Sequence, residues 1–414
     1  MQNNRFYKWE LLVWLWLAFF FNQADRQIFN VALPLIKADL QLTDTQLGLV
    51  GSLFALTLGV CIPFAGLIGD LFDRKKIIVY SLSFWSIATL FTGFSNSLLH
   101  LVLLRSLAVG GGEAFYAPAA NGLIGHYHQK TRGVAMAIHQ TSVYVGVIMS
   151  GGVGGYIAQT FGWKNTFYLF GGAGVVLAAI LWVRLKPIAV IAPQLRLSEQ
   201  KKFIRASVGA ILKSPSALLL CPAFLAMVFV NVGYTVWMPT FLHEKFDLSV
   251  AEAGFNSMFY HHIFAFVGVM GGGFLSDKLA HQSEKKRLIV QASGMLLAVP
   301  FIYGMGQATT APTTYFFLAA FGLFRGMYEA NIYATLFAVI APKYRSTSVG
   351  LSAMFAYVIA ALVPVVLGHL KSTIGLSNSL SGLCAAYLIG GLCLWAAFRF
   401  SFEKDHQSVK TEEK

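Results

Sequence analysis

The stretch Phe19-Phe20-Phe21-Asn22-Gln23-Ala24-Asp25-Arg26-Gln27-Ile28-Phe29 decides the fold. It lies inside an apolar run from about Trp9 to Leu35, long enough to cross a bilayer as a helix. An acid, a base and three amides therefore fall near the middle of a membrane span. An ionisable side chain there costs roughly 2.5–3.5 kcal/mol on insertion scales, so it faces a partner or a water-filled cavity. Asp25 and Arg26 are adjacent, about 100° apart around a helix, and neutralise each other only in part. Other helices must supply the rest.

The remainder of the chain is built to supply them. Hydrophobic residues make up 56% of the 414 and charged residues 12%, about half the roughly 25% typical of soluble domains. That excess of apolar runs reads as an all-α, polytopic membrane protein. The first run follows Arg5 and Lys8 as a signal peptide would, but it is too long, carries Asp25 and Arg26 and lacks a small-residue cleavage site. It is read as a retained first helix. Cys61, Cys221, Cys384 and Cys393 all sit in apolar runs without metal spacing, so they read as small buried hydrophobes, and no metal or cofactor is expected.

Hydropathy gives twelve spans, at roughly 9–35, 45–69, 77–97, 99–124, 134–158, 166–185, 216–241, 254–276, 288–306, 313–340, 348–370 and 378–399. The net charge of +13 is concentrated in the connections after every second span: Arg74-Lys75-Lys76, Lys130 with Arg132, Arg184 through Lys213, Lys278 through Arg287, and Lys343 with Arg345. Only Lys37, Lys164, Lys245 and Lys371 fall on the other side. This distribution belongs to a membrane topology, so no nucleic-acid partner is expected. The positive-inside rule puts both termini and the central loop in the cytoplasm; a bacterial inner membrane is the expected location.

The domains expected are a six-helix half at 1–185, a cytoplasmic linker at 186–214, a second six-helix half at 215–400 and a cytoplasmic tail at 401–414. Within the linker, Leu197–Leu212 sets Phe203, Ile204, Val208, Ile211 and Leu212 among Lys201, Lys202, Arg205 and Lys213. That pattern fits an amphipathic helix on the leaflet surface; a solvated linker is the alternative. The halves repeat weakly. Gly66 through Asp70 and Arg74-Lys75-Lys76 are echoed by Gly273 through Asp277 and Lys285-Lys286-Arg287. Arg105 and Glu113 of the fourth span are echoed by Arg325 and Glu329 of the tenth. Repeats of this kind are related by an axis along the membrane normal and put a substrate site near the midplane.

The loop Gly66-Leu67-Ile68-Gly69-Asp70-Leu71-Phe72-Asp73-Arg74-Lys75-Lys76 resembles the signature loop of the major facilitator superfamily, with Asp73 in place of its usual glycine. Within that superfamily, Asp25-Arg26, Gly112-Glu113-Ala114, Pro118-Ala119, Phe161-Gly162-Trp163 and Trp237-Met238-Pro239 resemble the anion:cation symporter family. Its members move sugar acids and other small organic anions with protons. The Asp-Arg pair, the Gly-Glu-Ala turn and Leu42 through Gly48 also resemble the spinster family of lipid transporters. In both branches the fourth-span arginine precedes the glutamate by seven residues; Arg105 precedes Glu113 by eight. Seven gives about 20° between them around a helix and eight about 80°. A distortion at Gly110-Gly111-Gly112 would restore the register.

The resemblance implies a monomeric symporter that moves a small anionic substrate by alternating access, with protons as the coupling ion, among membrane lipids. Asp25 and Glu113 are the candidate proton carriers. Arg26 is the candidate anchor, since an arginine stays charged and can hold a carboxylate with two parallel bonds. A fixed structural charge network is the alternative for these residues. The candidate substrate wall adds Gln23, His139, Gln140, Tyr144, Asn231, Tyr234, Trp237, His261, His262, Arg325, Tyr328, Glu329 and Asn331. Arg325 and Glu329, four apart, share a face and can simply pair. Adjacent His261 and His262 point about 100° apart, poor geometry for one metal ion. Gly66, Asp70, Arg74, Lys75, Asp277 and Arg105 are the candidate gating residues. No nucleophile–base pair supports an enzyme, and no sizeable soluble domain supports a receptor.

Overall fold

A backbone in hydrocarbon has to satisfy its own hydrogen bonds, and a helix does so within one segment. Each of the twelve apolar runs is accordingly helical in the computed structural model, which describes residues 3–187 and 197–412. No strand occurs among the described residues. Eight helical stretches are long and apolar enough to cross a membrane by length and composition, and one of them, at 342–409, covers the last two expected spans. The first, third and tenth spans, diluted by polar residues, are helical too, at Asn3–Leu40, Arg74–Thr92 and Ala311–Glu329 with Ile332–Val339.

Local chemistry sets several helix ends. The second helix (Asp44–Leu71) starts at a capping box in which Gln46 N donates to Thr43 Oγ1 (3.2 Å) and Thr43 N donates to Gln46 Oε1 (2.8 Å). Asp73, where the superfamily loop has glycine, caps the third helix by accepting from Lys75 N at 2.9 Å. The surroundings of Gly66 and the side chain of Asp70 lie outside what the structure describes. Leu197–Lys213 is helical, with Phe203, Ile204, Val208 and Leu212 exposed.

The chain divides into two compact units. The first holds the helices up to Arg184 together with Thr235–Met258; the second holds the linker helix, 215–234 and the described chain from Phe259 on. The seventh helix (Pro215–Phe246) therefore changes unit between Tyr234 and Thr235.

In the first unit, Leu11, Leu15, Leu82, Trp85, Tyr116 and Leu181 form part of one buried apolar cluster joining the first, third, fourth and sixth helices. Hydrocarbon gives no hydrophobic drive between helices, so close approach at small residues matters. A Cβ on Gly146 of the fifth helix would lie 2.7 Å from the Phe20 carbonyl of the first. In the second unit the tenth helix presses Gly322 and Gly326 against the eighth (Val250–Ala280), and a Cβ on Gly326 would lie 2.7 Å from Val269 N. Backbone cannot yield as a flexible side chain would. Gly326→Leu should therefore lower the melting temperature of the purified protein markedly, since overpacking costs about 1–3 kcal/mol. Gly350→Ala, where a Cβ meets nothing within 4 Å, should leave it unchanged; equal shifts would contradict this packing.

Candidate functional site

The charge cluster of the first unit begins in the fourth helix, Leu98–Tyr127, which is not a uniform α-helix. Val102–Val109 forms a wide π-turn segment before the glycines. Such a turn takes one extra residue into the helix, and so absorbs the eighth residue between Arg105 and Glu113. The distortion thus lies one turn earlier than the triple glycine. Those glycines serve close contact instead: a Cβ on Gly110 would sit 3.1 Å from the Phe54 carbonyl, and one on Gly112 would sit 3.1 Å from Trp85 Cβ. Ser106, inside the wide turn, ties it to the second helix by donating to the Val50 carbonyl at 2.7 Å.

Four charges meet here. Arg26 Nε pairs with Glu113 Oε2. Arg105 is 3% exposed, donates from Nη2 to the Arg26 carbonyl at 2.8 Å and lies over the Phe54 ring at 4.2 Å. Arg105 Nε and Nη1, Glu113 Oε1 and both Asp25 oxygens make no hydrogen bond. Asp25 is attracted to Arg105 and faces Trp85 Nε1 and Thr89 Oγ1, two buried donors that also lack a hydrogen bond. The cluster sets two acids against two bases and holds spare donors and acceptors at its centre. Gln23 is turned to its neighbour, donating to Asn22 Oδ1 at 2.9 Å.

The remaining first-unit candidates separate by environment. His139 is buried, stacks on Phe19 at 4.7 Å and sits 3.2 Å from the Tyr116 hydroxyl. Tyr116 donates its proton to the Leu15 carbonyl at 2.5 Å, so His139 Nε2 carries the hydrogen that meets the phenol oxygen. This clamp joins the first, fourth and fifth helices. Gln140, the next residue, is exposed and Tyr144 half-buried. Trp237 is fully buried. Arg74 Nη1 donates to the Gly122 carbonyl at 3.0 Å, and Lys75 Nζ lies over Trp182 at 5.4 Å. Both bind the start of the third helix to its neighbours.

The second unit carries its own polar cluster. Arg325 Nη1 donates to His261 Nε2 at 2.9 Å, and Arg325 Nη2 lies 3.3 Å from Glu329 Oε2. Because a guanidinium can only donate, His261 is neutral with its proton on Nδ1. Tyr234 and Phe321 pack against the His261 ring, each at 4.6 Å, and His262 meets it edge-on at 5.0 Å. Asn231 is half-buried. Asn331 accepts from Ser276 Oγ at 2.7 Å, and the Tyr328 carbonyl accepts from Gln291 Nε2 at 3.4 Å. Both residues tie the tenth helix to its neighbours. Asp277 is paired with Arg287 at 2.6 Å. Among the described residues no three His, Cys, Asp or Glu side chains could hold a metal ion.

Sequence reasoning missed Trp85, Thr89, Phe54 and Tyr116. A tryptophan or phenylalanine in an apolar run gives no sign that it borders a charge. Tyr116 alone left a trace, three residues after Glu113 and so near its face.

The Major Facilitator Superfamily profile matches residues 15–364. A hexuronate transporter of Bacillus subtilis (strain 168) is 25% identical over 94% of this chain and 93% of its own length. Protein spinster homolog 1 of Xenopus tropicalis is 28% identical over 85% of this chain and 71% of its own. Among solved structures, an inward-facing, unoccupied bacterial homologue of the human lysosomal transporter spinster superposes with a TM-score of 0.82. That structure is 23% identical, over 96% of this chain and 98% of its own, and so speaks to the fold alone.

Removing one partner of a buried ion pair costs about 3–5 kcal/mol, whereas an exposed pair contributes about 0–1 kcal/mol. Glu113→Ala should therefore depress the melting temperature far more than Lys164→Ala, which breaks the exposed 3.4 Å pair with Asp39. Equal effects would mean that the Arg26–Glu113 contact carries no load.

Proposed function

We propose, from the premise that the chain belongs to the Major Facilitator Superfamily, that it is a proton-coupled symporter of a small organic anion, a sugar acid or related monosaccharide. The carrying observation is the cluster of two acids and two bases, Asp25, Arg26, Arg105 and Glu113, with donors and acceptors left over; with all four ionised it is neutral. One added proton leaves this cluster with a net positive charge, which in hydrocarbon is costly. One carboxylate from a substrate restores neutrality. Proton and anion therefore favour each other's binding, and the loaded and empty states are the two neutral ones.

The side chains suggest how the exchange proceeds. A proton on Glu113 releases Arg26 from its ion pair, and the freed guanidinium can meet a carboxylate with two parallel hydrogen bonds. Arg105, which donates to the Arg26 carbonyl, holds the backbone beneath that anchor. Its two spare donors add positive potential. Asp25, backed by Trp85 and Thr89, is the second proton acceptor. Hydroxyl-rich substrates suit the amide of Gln140 and the phenol of Tyr144. In the same reading the protein is a monomer in a bacterial inner membrane with both termini cytoplasmic.

The curated hexuronate transporter supports the sugar-acid assignment. A second reading, a spinster-like lysolipid or sphingolipid transporter, is favoured by the 28% identity to a spinster homologue.

Counterflow in proteoliposomes, with labelled glucuronate and competing aldonates, aldarates, sialic acids or lysophospholipids, separates the two. Competition by sugar acids, with uptake accelerated by an inward proton gradient, is expected; competition by lysophospholipids alone would replace the first reading by the second. Asp25→Asn should abolish gradient-driven uptake while exchange continues, and unchanged driven uptake would remove Asp25 from coupling. Arg26→Ala should weaken anion binding about tenfold to a hundredfold at any pH, the range for a lost charged hydrogen bond.

A further inference from the structure

A basic site of a different kind lies within the second unit. The linker helix Leu197–Lys213, the turn at 339–344 and the C-terminal helix Phe402–Glu412 enclose a cavity of about 570 Å³. Arg205, Lys213 and Lys343 line it, with Tyr344, Ser408 and a single acid, Asp405. That acid is already engaged: Asp405 Oδ2 accepts from Ser214 Oγ at 2.9 Å and from Ser216 N at 2.8 Å. It thereby satisfies a backbone donor in the first turn of the seventh helix. Three cations thus face the cavity against one acid held elsewhere.

The walls are fixed. His406 Nδ1 donates to the Ala338 carbonyl at 2.9 Å, and Arg345 Nε donates to the Phe337 carbonyl at 3.0 Å. Phe203 of the linker helix packs against Tyr344 at 5.6 Å, and Ser207 is buried beneath the helix. Arg205, Gly209 and Lys213 follow at i, i+4 and i+8, so they form one stripe facing the cavity. Gly209 keeps the stripe open, since a Cβ there meets nothing within 4 Å. The next stripe around the helix is Ile204, Val208 and Leu212, which are 44%, 38% and 61% exposed. A cationic cavity bordered by an exposed apolar stripe, on a helix between membrane spans, matches a ligand that is anionic at one end and apolar at the other.

We propose that this cavity binds the phosphate headgroup of an anionic phospholipid of the cytoplasmic leaflet, with the acyl chains lying along Ile204, Val208 and Leu212. Arg205, Lys213 and Lys343 hold the phosphate, as guanidinium and ammonium groups do. The lipid fastens the linker helix to the second unit and to the membrane at one point. The site is independent of which anion the protein carries.

The test uses the full-length protein, delipidated and re-equilibrated with phosphatidylglycerol or phosphatidylcholine of the same chains, with retained lipid counted by native mass spectrometry. The wild type should keep phosphatidylglycerol preferentially. Arg205→Gln, Lys213→Gln and Lys343→Gln should each reduce retention about fivefold, the equivalent of roughly 1 kcal/mol per basic residue near a lipid surface. Lys130→Gln, on a different connection, should not. Gly209→Leu keeps every charge but fills the cavity, and should cause the same loss, which separates site occupancy from misfolding of the charge variants. Equal retention of the two lipids, or undiminished retention in Gly209→Leu, would overturn the proposal. Displacement of the lipid by millimolar glycerol 3-phosphate would also overturn it, by showing that the site takes a soluble phosphate.

Discussion

Charge inside hydrocarbon must be cancelled where it stands, and this constraint governs the first unit. Asp25 and Arg26 enter the membrane on one helix but cannot cancel each other, being adjacent around it. The fourth helix brings Glu113 to Arg26 and Arg105 to the Arg26 carbonyl, and the third brings Trp85 and Thr89 toward Asp25. Other features of the unit serve that meeting. The wide turn at Val102–Val109 sets the register between Arg105 and Glu113, and the glycines after it let the second and third helices close in. The His139–Tyr116–Leu15 clamp fixes the first helix against the fourth and fifth on the next turns.

The second unit solves the same problem with fewer charges. Arg325 is neutralised by Glu329 from its own helix and directed by a neutral His261. Tyr234 and Phe321 pack against the His261 ring that directs it. The two units thus differ in what they offer. One holds four charges drawn from two helices, and the other an ion pair within one helix beside a neutral histidine.

Much of this was legible in the sequence, for identifiable reasons. Twelve spans could be read because a bilayer imposes a length on every apolar run. Asp25, Arg26 and Glu113 stood out because ionisable residues are rare in such runs. Pairings were less accessible. Nothing in the chain says that Arg26 rather than Arg105 meets Glu113, since that depends on helix rotation. The extra residue between Arg105 and Glu113 was visible as a count, but a π-turn ahead of the glycines was not, because no residue type demands one. The sequence sets His139 on the candidate substrate wall, and only the fold brings Tyr116 and Phe19 to it. Asp73, a departure from the superfamily's loop, reads as a helix cap once the third helix is seen to start beside it.

The central claim is that the buried charges trade partners with a proton and an anion rather than merely holding helices together. It is tested most directly by counting protons as substrate binds to purified protein in weakly buffered solution with a pH indicator. Linkage between the two ligands predicts uptake of about one proton per monocarboxylate bound near neutral pH, and loss of that uptake in Glu113→Gln. Saturable binding of the anion with no proton taken up at any pH would contradict it, and would leave Asp25, Arg26, Arg105 and Glu113 as a fixed structural network.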